Sequence, residues 1–318
     1  MDPFPYHIRK IDPDKDAAAV AVLIKTCFRP WLDIENIDYL KSLREAGEEA
    51  LAHPLWAKFT GFPYLLPGVV CVDHAGNIVG VVNTYDFFHN HYKCSLISNV
   101  CVDAAHRKKG IAGRMIKEAE KFLRDDQVYG LYLQARMENA DVFNFYRHYG
   151  FSVTDFRETW ILPSGQRHDA ENPGRFSLKT VLSSDADAFE KNFRNRYPES
   201  ILWNLDYSAE VFRTGTFVSF LSGLDASGNR FRRVTDTDGT LKAWAAVQRM
   251  KGKMDQFWFV PNGNLPEDEE GEILKFLAGE FRRGKALKLD VPFGAAAGIF
   301  KDAGFVKLHT LAWMWKKL

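Results

Sequence analysis

Three consecutive cations, Arg107, Lys108 and Lys109, stand between an apolar run, Val100-Cys101-Val102, and an amphipathic pattern. In that pattern Ile111, Met115, Ile116, Ala119, Phe122 and Leu123 recur at helical spacing. Gly110 sits at the join. A strand, a basic turn and a helix start form an anion site for general reasons. The first N–H groups of a helix lack intrahelical acceptors, the helix dipole favours negative charge there, and glycine admits a ligand close to the backbone. The anion this turn is read to carry is a pyrophosphate.

Other reactive residue types are sparser. Tyr146 can donate through its phenol, and beside Phe143 and Phe145 it also fits as a core aromatic. Cys101 fits its strand as a small residue and needs no nucleophilic role. His89-Asn90-His91 has no carboxylate or cysteine at ligand spacing, so no metal site is expected.

The elements that must position these residues follow from pattern. A short strand at His7–Ile11 precedes a helix beginning near Ala17. A long aromatic insertion, Pro30 to Pro67, comes next, with one or two helices of its own. Val69–Val72 and Ile78–Val82 flank a turn, Asp73-His74-Ala75-Gly76-Asn77, and make a hairpin. Strands at Cys94–Val102 and Val128–Gln134 bracket the basic turn and its helix. A helix over Ala140–Tyr149 is stopped by Gly150, and Phe151–Leu162 closes the unit. The polar stretch 163–174 reads as a linker. Beyond it the plan repeats: Asp236-Thr237-Asp238-Gly239 matches the first hairpin turn, and Gly304-Phe305 follows Gly150-Phe151 at an interval of 154 residues. The expected class is α/β (α+β mixed sheet), each half a mixed, mostly antiparallel sheet flanked by helices.

Composition narrows the function. The chain has 318 residues, 46% hydrophobic, enough for two packed domains. A net charge of +1 does not point to nucleic acid or a membrane surface. No apolar run approaches the roughly 20 residues of a membrane span, and no secretory leader is evident at Met1-Asp2-Pro3. Cys27, Cys71, Cys94 and Cys101 are expected as reduced thiols in a cytoplasmic protein.

Taken together, Arg107-Lys108-Lys109-Gly110-Ile111-Ala112 after Val100-x-Val102, then Asn139, Phe145-Tyr146 and Gly150-Phe151, resemble the GNAT superfamily of acyl-CoA-dependent N-acetyltransferases. Its signature is Arg/Gln-x-x-Gly-x-Gly/Ala after a strand, and the likeness covers Tyr6 to Trp160. The resemblance implies that the backbone of Arg107 to Ala112, with Gly113 following, binds the pyrophosphate of acetyl-CoA. It implies that Val100, Cys101 and Val102 offer backbone groups to the pantetheine arm and the acetyl carbonyl. It also implies that Asn139 bonds the pantetheine and that Tyr146 protonates the departing thiolate. For the general base, Asp86, His89, His91 and a water relay all stand as candidates.

The 154-residue shift places Phe300 at the position of Tyr146 and Phe293 at that of Asn139, and an acidic run, Glu267-Asp268-Glu269-Glu270, stands where the basic turn should be. The expected organisation is therefore a catalytic domain at 1–162, a linker at 163–174 and a degenerate GNAT-like domain at 175–318, as in tandem members of the superfamily. The acceptor is expected to be a small-molecule or peptide amine. The chain is expected to act as a monomer, an internal pseudo-dimer, or as a homodimer. A non-catalytic acyl-CoA sensor is the alternative.

Overall fold

A computed structural model describes residues 4–28, 67–165, 174–205, 207, 209–212, 229–250, 252–281, 284–295 and 297–318. The aromatic insertion, up to residue 66, and residues 166–173 of the linker lie outside them. Two compact units interleave along the chain. One comprises Met1–Ala135, Ala140–Val153 and Trp313–Leu318; the other comprises Arg136–Asn139 and Thr154–Ala312. The sequence divides the chain once, at the linker, whereas the units divide it within the strands Ser152–Leu162 and Val306–Lys317. The reason is pairing. A strand belongs to the sheet whose hydrogen bonds it completes, and Arg157 to Leu162 pair antiparallel with Pro292 to Leu287.

In the first unit β1 (His7–Lys10), β2 (Gly68–Val72), β3 (Ile78–His89), β4 (Tyr92–Val102) and β5 (Gly130–Arg136) follow one another in the sheet. β1 to β4 pair antiparallel, and β4 pairs parallel with β5. Helix α1 (Pro13–Phe28) starts a turn earlier than expected, because the buried Asp16 carboxylate accepts the Asp12 N–H at 2.8 Å and Arg9 at 2.8 Å. Its Val20, Leu23 and Ile24 pack on Val70, Val81 and Cys101. Helix α2 (Ile111–Asp125) covers the opposite face, where a Cβ at Gly80 would stand 2.8 Å from Met115 Cε. Helix α3 (Ala140–His148) lies beside α2: a Cβ at Gly113 would meet the Tyr149 hydroxyl. The β3–β4 hairpin is far longer than expected. It turns on Asn90 and His91, both at positive φ (48° and 67°), a primed turn made without the usual glycine.

The second unit holds β6 (Ser152–Leu162, from Thr154 on), β7 (Phe176–Thr180), α4 (Ala186–Arg196), β8 (Arg230–Asp236), β9 (Leu241–Gln248) and β10 (Met254–Pro261). Helix α5 (Glu267–Glu280), β11 (Ala286–Pro292), α6 (Ala297–Asp302) and β12 (Val306–Lys317, up to Ala312) complete it. β7 to β10 run antiparallel and β10–β11 parallel, the pattern of the first unit. Leu274, Leu277 and Phe300 bury one face with Trp160, Phe257, Phe259 and Leu289; Phe189 and Phe193 bury the other with Trp244 and Trp258.

The repeat is visible atom by atom. Asp73 accepts from Ala75 N and Asn77 N, and Asp236 from Asp238 N and Thr240 N. The two Gly-Phe helix stops also coincide. Gly150 and Gly304 have φ of 86° and 87°, and Phe151 N donates to Tyr146 O as Phe305 N donates to Phe300 O.

Candidate active site

β4 and β5 pair only from Cys94↔Gly130 to Leu96↔Tyr132. Beyond that register they part, so Ile97 to Val102, including the expected Val100, Cys101 and Val102, leave the edge toward β5 open. Between Val81↔Cys101 and Asn83↔Ser98 the β3–β4 register shifts by one residue. Asn99 sits in this bulge with φ of 50°. Its amide donates to Asn83 Oδ1 at 3.1 Å, and Asn83, fully buried, donates to Pro67 O at 3.2 Å. An asparagine interrupting a strand pattern, at 83 as at 99, is the signal in the sequence that could have pointed to this clamp.

The strand runs straight into the anion site. Asp103 caps a short helical turn at Ala104–His106, accepting from Ala105 N at 2.9 Å. Lys108 and Gly110 then take positive φ, 61° and 76°, and turn the chain into α2. The first helical bond is Arg114 N to Gly110 O, so the N–H groups of Ile111, Ala112 and Gly113 are left over at the helix start. Among the described residues those of Lys108, Lys109 and Gly110 are also without an acceptor. The N–H of Arg107 turns back to Ala104 O at 3.5 Å, and the Arg107 side chain folds onto the strand, its Nε donating to Val102 O at 3.0 Å. Lys108 and Lys109 are exposed.

Cys27, on the last turn of α1, donates to the same Val102 carbonyl at 3.5 Å. A hydrogen bond from the Cys101 thiol, and after it Arg107, holds Cys27 down at about 7. The Cys101 thiol is pushed up by the same contact and by burial.

Tyr146 on α3 is 7% exposed, its ring edge-on to Phe145 and Phe151. Burial raises its pKa, and the charge Cys101 would carry as a thiolate adds to the effect. A phenol so placed stays protonated and keeps a proton to donate. Asn139 lies in the turn Arg136–Asn139, which belongs to the second unit; its N–H donates to Arg136 O at 3.1 Å.

Residues 28–151 match the acetyltransferase (GNAT) family model. The chain carries a GNAT domain. Solved structures similar to it span nearly the whole chain. A GCN5-related N-acetyltransferase from Sphaerobacter thermophilus is 16% identical, with a TM-score of 0.58, covering 99% of this chain and 96% of that one. A tandem GNAT protein from the clavulanic acid biosynthesis pathway is 14% identical, with a TM-score of 0.53, covering 98% of both. A glucosamine N-acetyltransferase region of a fungal multi-domain GH3 beta-N-acetylglucosaminidase is 12% identical, with a TM-score of 0.58, covering 99% of this chain and 38% of that one. No curated protein matches the sequence. At these identities the structures share a fold: the chain has the GNAT fold, and a tandem GNAT protein is among its neighbours.

The second GNAT-like unit also parts its parallel strands, since β10 and β11 pair only as far as Phe257↔Leu289. Here the opened backbone is taken. The Tyr197 hydroxyl accepts from Phe259 N at 3.2 Å and donates to Phe259 O at 3.3 Å, and burial pushes its pKa up to about 12. The start of α5 is occupied as well: Glu269 pairs with Lys242 at 2.9 Å and with Arg175 at 3.6 Å, and Glu270 with Arg196 at 2.8 Å. Phe300, which offers no hydroxyl, is fully buried among apolar neighbours.

Proposed function

We propose that the protein is an acetyl-CoA-dependent N-acetyltransferase with one active site, in the catalytic domain expected over 1–162, and that 175–318 is a degenerate copy. The observation that carries this reading is the alignment of two features on one strand. β4 parts from β5 after Leu96 and ends in a turn whose N–H groups, Lys108 to Gly113, await an anion. In this reading those N–H groups hold the pyrophosphate, with Lys108 and Lys109 adding charge and Val100 to Val102 pairing with the pantetheine arm. The role of Asn139 toward the pantetheine is proposed on the family resemblance.

The neutral amine of a small molecule or peptide attacks the thioester carbonyl. A C–N bond forms, the C–S bond breaks, and the electron pair leaves on sulfur. Backbone N–H groups of the splayed strand stabilise the oxyanion. Tyr146 donates to the thiolate; with its pKa raised it serves chiefly as a positioned hydrogen bond, and the proton shed by the amine balances the thiol. A cytoplasmic location and a monomeric or homodimeric state accompany this reading; among the described residues no helix is long and apolar enough to cross a membrane.

Thiol release from acetyl-CoA across a panel of amines tests the activity. Tyr146→Phe should lower kcat more than tenfold and leave acetyl-CoA affinity within twofold. Unchanged turnover would remove Tyr146 from the mechanism, and binding without any turnover would leave an acyl-CoA sensor.

A further inference from the structure

The signature of the anion turn ends at Ala112, and the residue after it is again a glycine. Gly113 lies within α2, where glycine in place of alanine weakens a helix. Its backbone is helical, so no unusual φ calls for glycine. A neighbour does. The Cβ of any other residue would fall on the hydroxyl of Tyr149, at the end of α3.

The place of that hydroxyl gives it a use beyond packing. Cα–Cβ bonds of a helix tilt toward its N-terminus. An atom standing where the Cβ of residue 113 would be therefore faces the turn before it, where the N–H groups of Ile111, Ala112 and Gly113 have no acceptor within the helix. The Tyr149 ring is anchored, with centroids 4.8 Å from Phe145 and 5.3 Å from His148, and Lys117 Nζ, one turn further along α2, lies 5.9 Å from its centroid. Among the described residues no group hydrogen-bonds its hydroxyl. The ring is half-buried, while Lys109, Gly110 and Lys117 are exposed, so the hydroxyl stands on the rim of the turn. A phenylalanine would fill the same seam between α2 and α3 without that donor.

We propose that Tyr149 is a further coenzyme-binding residue, whose hydroxyl donates to a pyrophosphate oxygen of acetyl-CoA beside the N–H groups of Lys108 to Gly113. The inference rests on the acetyltransferase reading above and adds a side-chain donor to a site otherwise made of backbone and lysine charge. A hydrogen bond to a charged oxygen is stronger than one between neutral groups, and its loss should register as about a tenfold change in affinity.

The test compares the unaltered protein with Tyr149→Phe, by calorimetry for acetyl-CoA and by kcat/KM for three acetyl donors with an accepted amine. Acetyl-CoA should lose about tenfold in both measurements. Acetyl-dephospho-CoA, which keeps the pyrophosphate and lacks the 3′-phosphate, should lose as much. S-acetylpantetheine, which has neither, should change less than twofold. Gly113→Ala, which displaces the hydroxyl, is read across the same donors should Tyr149→Phe fail to fold. Unchanged acetyl-CoA affinity overturns the proposal and spares the activity. So does a loss confined to acetyl-CoA, which would put the hydroxyl on the 3′-phosphate instead. An equal loss with S-acetylpantetheine also overturns it, by making Tyr149 part of the helix packing alone. Absence of acetyl-CoA binding in the unaltered protein would remove the activity and this assignment together.

Discussion

At the scale of single residues, Cys27 illustrates how a site can be tuned by groups no motif names. Two donors, Cys27 Sγ and Arg107 Nε, share the Val102 carbonyl, and the Cys101 thiol donates to Cys27. The Cys101 donor, and after it the Arg107 cation, favour the thiolate at Cys27, so its pKa lies below the usual thiol range, at about 7, while burial pushes Cys71 up to about 11. The sign is direct: raising the pH through the neutral range ionises Cys27 while Cys71, held up by burial, stays a thiol. Alkylation of the native protein by iodoacetamide, followed by peptide mass spectrometry, should modify Cys27 first, with a rate that rises through about pH 7. Arg107→Gln should move that midpoint upward by removing a cation. A midpoint at the ordinary thiol value of about 8.5 would sink the assignment. Arg107 was legible in the sequence as a cation of an anion turn. That its side chain folds back onto the strand was not, because the acceptor is a backbone carbonyl five residues earlier.

Elements were legible where their signal is local. The amphipathic period of α2, the Asx turns at Asp73 and Asp236 and the Gly-Phe stops all rest on residues within one turn of each other. The β3–β4 hairpin beyond Val82 was not legible. Its strands mix aromatic and polar residues, and Asn90-His91 lacks the glycine that advertises a primed turn. The bulge in β4 belongs here too. A non-glycine residue at positive φ costs about 1 kcal/mol or more, less for asparagine, and must be held by its surroundings. Asn83 does the holding: its side-chain oxygen accepts a hydrogen bond from Asn99 and its NH2 group donates one to Pro67 O. Asn83→Ala leaves buried polar groups unsatisfied and should destabilise the fold by about 1–3 kcal/mol in urea unfolding. With the bulge released, kcat should fall while acetyl-CoA affinity holds. Adding Asn99→Gly, which takes positive φ freely, should restore part of kcat without restoring stability. Full activity in Asn83→Ala alone would show that the bulge does not shape the catalytic edge.

Across the whole molecule the duplication was legible from two Gly-Phe pairs, and the division of the strands Ser152–Leu162 and Val306–Lys317 between the units was not. Which unit a segment joins is decided by pairing between residues more than a hundred apart, as when Leu162 finds Leu287, and by anchors such as Lys316 on Glu120 at 2.6 Å. Duplication raises a question of stoichiometry, since both units part their parallel strands at the same place in the fold. The two openings differ chemically. The first presents backbone groups and a cationic turn; in the second, Tyr197 satisfies both polar groups of Phe259, and carboxylates crowd the start of α5. Those carboxylates suit a helix N-terminus, but one of them about 6 Å from a phosphate would oppose it by about 3 kcal/mol at an effective dielectric near 20. Titration calorimetry should therefore find one coenzyme A per chain. Tyr197→Phe should not add a second, because removing the hydroxyl frees the backbone without removing the carboxylates. Lys108→Glu with Lys109→Glu should abolish the single site, because that substitution gives the first turn the charge of the second. Two equivalents in the unaltered protein, or one that survives the double charge reversal, would mean that the second unit binds the cofactor after all.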